Sequence, residues 1–516
     1  MVRQSLIYGT IILLVANFFN RIVGFTYQIL MIRLIGPEGV GLFNMVYPIY
    51  VLVLVAATAG IPLAIAKLVA EETAKNNFAG ALRIFRTAFL FIVGLSVFFT
   101  VLLLVGAPYL REHVFPNPKV YYCFLSLVPG VIIVSLCSAF RGYFQGLQQM
   151  TSTAVTQMTE QLVRVVAGLS IAYFLLPRGV EYAAIGLSLG VILGEFTGFL
   201  LMLTIYLINR LRLPRLPVYP ISLKAVTVRI FGLAIPVTLT RLVTTGVMSI
   251  DAILIPYRLH ASGLSMSQAT AAYGELIGIA MALMLTPGII TFALATALVP
   301  AVSDAMALKN YTLVRMRTSE SMRLTMLAGM PATLVLLFVP EQLCLLFFDY
   351  PQAGTVLRAI ALGGPFLFIS QTTTGILQGM GRADRPLKNL IVGSLIKVVG
   401  VYYLTAVPSL GIVGTAYALS FSYAVAALLN YIDLRALSGL KAEFLQWLIK
   451  PLFASGAMVL VIVNVYSALI GYWQWEKICI IISLLSGAPV YLIIMSLIGG
   501  IKREDVERFK AILRIK

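Results

Sequence analysis

The chain has 516 residues, 60% of them hydrophobic and only 11% charged, against about a quarter charged in soluble globular domains. That balance excludes a soluble enzyme. The formal charge of +18 does not point to nucleic acid, because the lysines and arginines are scattered over short loops and form no basic domain.

Apolar runs of about 20 residues, the length of a helix that crosses a bilayer core, recur almost end to end. The expected fold is an all-α integral membrane protein with about fourteen transmembrane helices. The N-terminus, MVRQSLIYGTIILLVA, has the charged start and apolar run of a signal peptide but no small-residue cleavage site, so a retained first helix is expected. This first run, 6–31, carries Arg21 within NFFNRIVG, some fifteen residues inside it. A guanidinium cannot shed its charge, and at that depth it costs a few kcal/mol unless it faces protein or a water-filled cavity.

The next runs are 43–66, 84–110, 120–140, 153–176 and 182–208. The fifth, 153–176, is the most dilute, with Glu160 and Arg164 four apart on one helix face as an ion pair that would ease insertion. The sixth carries Glu195. A second series follows at 230–257, 273–301, 324–348, 355–380, 387–407 and 410–434, and two runs close the chain at 447–470 and 478–500. Inside these lie Arg241, Asp251, Glu275 and Lys397. Arg241 and Asp251 are ten residues apart, about 15 Å along a helix, and cannot pair directly unless it breaks. The tail IKREDVERFKAILRIK spaces Val506, Phe509 and Leu513 as in an amphipathic surface helix, and a solvated charged tail is the equal alternative.

Counting residues at the edges of runs with the adjoining loops, 27 of the lysines and arginines fall at the N-terminus, in loops after even-numbered runs and in the tail, against 7 in the other loops. The positive-inside rule then places both termini in the cytoplasm.

The two series resemble each other. At an offset of 233, GYFQG from Gly142 aligns with GILQG from Gly375, and LVRVV from Leu162 aligns with LIKVV from Leu395, pairing Arg164 with Lys397. Arg21 matches Arg241 at a shorter offset, and Pro62 in GIPLAIA matches Pro300 in LVPAVSD at a longer one. Six runs per repeat is an even number, so the copies are parallel. The expected domains are an N-terminal lobe 1–220, a C-terminal lobe 221–440, and 441–516 as two further helices and tail.

A single intramembrane arginine can snorkel from a helix end. Four cations in two repeat-related pairs, Arg21 with Arg241 and Arg164 with Lys397, instead suggest a positively charged substrate cavity. The carboxylates Glu160, Glu195, Asp251 and Glu275 are candidate coupling-ion sites or charge partners, since carboxylates can titrate where arginine cannot. Candidate hinges are Gly60, Pro62, Pro129, Gly130, Pro236, Pro287, Gly288, Gly364 and Pro365, each of which could equally be a static kink.

No P-loop, dinucleotide fingerprint or metalloprotease motif is present, and the two histidines, His113 and His260, fall in expected loops. Cys123, Cys137, Cys344 and Cys479 have no C-x-x-C spacing and read as core residues. A transporter with no cofactor and no metal is expected, and not an enzyme.

The stretch NRIVGFTYQILMIRLIGPEGVGLFNMVYPIY, followed by GIPLAIAKLVAEE, resembles the stage V sporulation protein B group of the multidrug/oligosaccharidyl-lipid/polysaccharide (MOP) exporter superfamily. The resemblance covers essentially the whole length. It implies alternating-access export of a lipid-linked glycan across the cell membrane, for cell-wall or spore-cortex synthesis; H+ or Na+ coupling through the carboxylates and cell-wall synthesis proteins as partners are candidates beside it. By resemblance to the superfamily's lipid II flippase, Arg21 would contact a pyrophosphate or anionic headgroup. The chain departs from that flippase at Tyr27, at Ala57 to Gly60 and at Glu275, where the flippase carries arginines. The alternatives are a cation-coupled drug antiporter of the same superfamily, a membrane-embedded glycosyltransferase, which would need a large acidic loop, and a scaffold for a cell-wall complex.

Overall fold

The computed structural model describes residues 6–210, 222–440, 443–502 and 507. The tail positions Val506, Phe509 and Leu513 lie outside the described residues. Twelve helices among the described residues are long and apolar enough to cross a membrane, and a bent pair, Pro351–Ala361 with Gly364–Gly379 at 54°, makes a further span. The first of the twelve, Ile11–Ala74, holds two of the expected runs, because Gly36 leaves helical geometry at φ 71°. All fourteen expected runs therefore fall on helix, and the chain is a multi-pass membrane protein. Its outward faces agree: Phe98, Val101 and Val105 are more than half exposed in mid-helix, as a hydrocarbon solvent allows.

Packing divides the chain into two compact units, one of residues 1–260 with 264–274, the other of 261–263 with 275–516. The first contains α1 (Leu6–Thr58), α2 (Ile61–Ala74), α3 (Phe78–His113), α4 (Val120–Leu127), α5 (Gly130–Gly146), α6 (Met150–Leu175), α7 (Val180–Arg210), α8 (Leu223–Ala261) and α9 (Met266–Gly274). Its core joins Ile61, Ile65, Phe85, Phe140 and Phe144 to Ile230 and Ala234 of α8. The start of the second sequence repeat thus packs within the first unit. Arg229 of α8 donates to Glu71 at 2.5 Å and to Glu72 at 3.4 Å, and Ser249 donates to the Pro48 carbonyl at 3.0 Å.

The second unit opens with a π-helical turn, Glu275–Ala280, and continues through α10 (Met281–Leu285), α11 (Gly288–Ala307), α12 (Tyr311–Phe338), α13 (Pro340–Phe348), α14 (Gly354–Ala361), α15 (Gly364–Gly379), α16 (Asp384–Leu404) and α17 (Gly411–Ser438). A second π turn, Leu445–Ile449, leads into α18 (Lys450–Ile470), followed by α19 (Glu476–Leu497). The last two helices are tied to α12, because Arg323 donates to the Gly500 carbonyl at 2.9 Å and Tyr491 to the Leu327 carbonyl at 2.7 Å.

The repeat is visible in the backbone at an offset of 233. Asn77 caps α3 by accepting from the Gly80 amide, and Asn310 caps α12 by accepting from Leu313, both at 3.0 Å. The preceding residues, Asn76 and Lys309, are both left-handed, as are Gln148 and Gly381. Glycines set the tightest helix contacts in both copies. A Cβ on Gly142 would stand 2.4 Å from the Pro62 carbonyl oxygen, and one on Gly375 would stand 2.5 Å from that of Ala295. The structural counterpart of Pro62 is therefore Ala295, which corrects the expected match with Pro300. Proline identity misled the alignment, whereas the contact fixes the register.

Among the candidate hinges, Gly60 is left-handed at φ 61° and separates α1 from α2, with Pro62 in the first turn of α2. Pro129 lies in the break between α4 and α5 and Gly130 begins α5, Pro287 lies in the break between α10 and α11 and Gly288 begins α11, and Gly364 and Pro365 stand at the 54° bend. Pro236 lies within an uninterrupted α8.

Candidate functional site

The tightest helix pairing in the first unit builds the site. Along α7, Gly186, Gly190, Gly194 and Gly198 recur every fourth residue and so share one face. A Cβ on Gly190 would lie 2.2 Å from the Gly168 Cα, and one on Gly194 would lie 2.7 Å from the Glu160 carbonyl oxygen. Small residues at this spacing let two membrane helices meet backbone to backbone. The side chains flanking the contact are then squeezed out of lipid and against one another.

Those side chains form a charged quartet. Arg164 Nη2 on α6 donates to Glu160 Oε1, one turn earlier, at 2.9 Å and to Glu195 Oε1 on α7 at 2.6 Å. Arg141 on α5 donates to the other oxygen of Glu160. Glu160 and Glu195 are 7% and 8% exposed, so each charge needs a partner. Two guanidiniums and two carboxylates give a formal charge of zero.

Tyrosines of α1 close over the same region. The position of a Gly168 Cβ is 2.7 Å from Tyr27 Oη, and that of a Gly130 Cβ is 2.7 Å from Tyr50 Oη. Both rings are buried. Among the described residues, neither hydroxyl makes a hydrogen bond, and the same holds for Glu195 Oε2. Tyr27, which by resemblance replaces a flippase arginine, thus lies one turn along α6 from the arginine that this chain does bury.

The second repeat lacks this chemistry. At the offset of 233, Arg141 and Glu160 become Thr374 and Gly393, while Arg164 becomes Lys397. Ser422 meets Gly393 as Gly194 meets Glu160, which puts Tyr423 where Glu195 stands. Lys397 is buried in α16. Nearby, Asn389 donates to Asn430 at 2.9 Å and to Asp433 at 2.8 Å, and Arg385 donates to Asp433 at 3.0 Å.

The other expected site residues lie on several elements. Arg21 on α1 and Arg241 on α8 belong to the first unit, and both are exposed. Arg164 is committed to its two carboxylates, and Lys397 belongs to the second unit. Asp251 is half-buried on α8, whose continuity keeps it from reaching Arg241. Glu275, first residue of its π turn, accepts from Tyr350 Oη at 2.9 Å. The four cysteines are buried and reduced.

Sequence reasoning missed Arg141 and the glycine ladder. Arg141 follows the last residue of the expected run 120–140, where a loop is expected, whereas α5 continues through it to Gly146. The ladder was legible as four glycines at a spacing of four.

The comparisons with known proteins agree with this architecture. The polysaccharide biosynthesis protein family matches residues 6–306, and the MatE family matches residues 236–403. Stage V sporulation protein B of Bacillus subtilis is 29% identical over all of this chain and 99% of its own length. The lipid II flippase MurJ of the same organism is 24% identical, covering 95% of this chain and 94% of that one. In structure, the inward closed conformation of lipid II flippase MurJ superposes with a TM-score of 0.72 at 16% identity, covering 94% of this chain and 98% of that one. The chain belongs to the polysaccharide biosynthesis protein family.

Proposed function

We propose that this membrane protein is an alternating-access flippase that exports an anionic lipid-linked glycan, a polyprenyl-pyrophosphate precursor of peptidoglycan or polysaccharide, across the cell membrane. The observation that carries the reading is the exposure of Arg21 and Arg241 inside membrane-spanning helices. A permanent cation that keeps exposed surface at that depth can meet an anionic group without losing its charge. Full-length similarity to stage V sporulation protein B and to a lipid II flippase supports a lipid-linked headgroup as that anion, and spore-cortex or cell-wall synthesis as the setting. The distribution of lysine and arginine supports cytoplasmic termini.

In this reading Arg21 and Arg241 hold the headgroup, and Lys397 is a separate candidate cation within the second unit. Arg164, with its charge matched, holds Glu160 and Glu195 in place. Those two carboxylates are the leading coupling pair for H+ or Na+, because Glu195 keeps one oxygen uncommitted. Asp251 and Glu275 are the alternates, and cell-wall synthesis proteins are the partners to seek. A second reading, a cation-coupled organic-cation antiporter, is favoured by the MatE match over residues 236–403.

Reconstitution into liposomes with a fluorescent polyprenyl-pyrophosphate glycan separates the two. The flippase reading expects the labelled glycan to become accessible on the opposite leaflet. No movement of any such glycan, together with efflux of organic cations on an imposed ion gradient, would establish the antiporter.

A further inference from the structure

The turn between α18 and α19 collects exposed aromatic surface that transport does not explain. The chain has three tryptophans. Trp447 is buried at 5% exposure, but Trp473 and Trp475 are 48% and 72% exposed and Tyr472 is 87% exposed. All three exposed rings fall within a few residues between two membrane-spanning helices, Leu445–Ile470 and Glu476–Leu497. At 1.5 Å per residue each helix is long enough to cross a bilayer core of about 30 Å, so the turn emerges at its boundary.

Two polar contacts tie the turn to its surroundings. Tyr466 Oη donates to Glu476 Oε1 at 2.9 Å across its base. Lys477 forms an ion pair with Asp349, which ends α13 in a left-handed conformation. A shallow surface hollow of about 590 Å³ lies open among Tyr472, Trp473, Gln474, Trp475 and Ile478. Tryptophan and tyrosine combine an apolar ring with a polar N–H or O–H, and such rings settle where hydrocarbon meets headgroups.

We propose that this turn is a membrane-interface anchor: Tyr472, Trp473 and Trp475 insert among phospholipid headgroups and, through the Lys477–Asp349 clamp, fix the depth of α13, α18 and α19 in the bilayer. The occupant of the hollow is a phospholipid headgroup.

The test uses the full chain carrying Trp447→Phe, whose fluorescence comes from Trp473 and Trp475 alone, reconstituted in phosphatidylcholine vesicles. Lipids brominated near the glycerol end of the acyl chain should quench at least about twofold more than lipids brominated near the chain terminus, with aqueous iodide a weak quencher. If Trp447→Phe does not fold, the parent protein minus a Trp473→Phe/Trp475→Phe variant gives the same signal by difference. Strong iodide quenching with no response to either bromolipid would overturn the anchor. Protection from iodide by soluble oligosaccharide would overturn it in favour of a saccharide-stacking platform.

Discussion

Arg164 joins two carboxylates through one guanidinium nitrogen, and its neighbours decide what each substitution costs. Removing one member of a buried ion group leaves an uncompensated charge, at about 3–5 kcal/mol, whereas removing an opposite pair together costs far less. Arg164→Met and Glu195→Met should therefore each lower the thermal midpoint of the purified protein markedly, and the double variant should melt closer to the parent than either single one. Additive losses in this cycle would show that the Arg164–Glu195 contact carries no coupling energy. Glu195→Gln keeps the shape but removes a titratable site. In the liposome assay it should abolish stimulation by an ion gradient, while Glu275→Gln, whose carboxylate accepts from Tyr350, should retain it. The reverse pattern would move coupling to Glu275. The Glu160–Arg164 pair was legible from its spacing alone. Arg141 was not, because it follows the last apolar residue of a run, and hydropathy cannot say whether the helix continues past it.

At the scale of elements, glycine spacing governs how closely helices meet. Gly190 faces Gly168 with no room for a methyl group, while Gly94 on α3 has open space at its Cβ position. Gly190→Ala should destabilise by about 1–3 kcal/mol through overpacking. Gly94→Ala should be neutral or slightly stabilising, since alanine favours helix over glycine. Equal melting temperatures for the two variants would contradict the ladder as the organiser of α6 and α7. Gly142→Ala and Gly375→Ala should resemble each other in cost, because each glycine meets a carbonyl at nearly the same distance in its own repeat. The repeat was readable from short matched strings, and its register was right where glycines carried it. It failed at Pro62 because a proline tolerated near a helix start and one inside α11 share an identity without sharing a contact. The packing of α8 and α9 with the first unit was not readable at all, since hydropathy gives the length of a span and not the neighbour it chooses.

For the whole molecule, the number of spans and their apolar faces followed from composition and run length, because a bilayer imposes both. Sidedness is open to a direct check, since the four native cysteines are buried and give little background. With an impermeant maleimide on intact cells, Asn76→Cys should stay unlabelled and Gln474→Cys should react. Labelling of Asn76→Cys from outside would reverse the proposed orientation. The substrate was legible only through resemblance, because no pattern of apolar runs encodes a glycan.

The central claim is that fixed positive charge within the spans carries an anionic headgroup. Its most direct measurement is outward flipping of a fluorescent polyprenyl-pyrophosphate glycan in liposomes by the parent protein, Arg21→Gln, Arg241→Gln and Arg21→Lys. Per folded protein, both glutamine variants should lose most of the activity, and Arg21→Lys, which keeps the charge, should retain a substantial part. Parental flipping rates in both glutamine variants would contradict the claim.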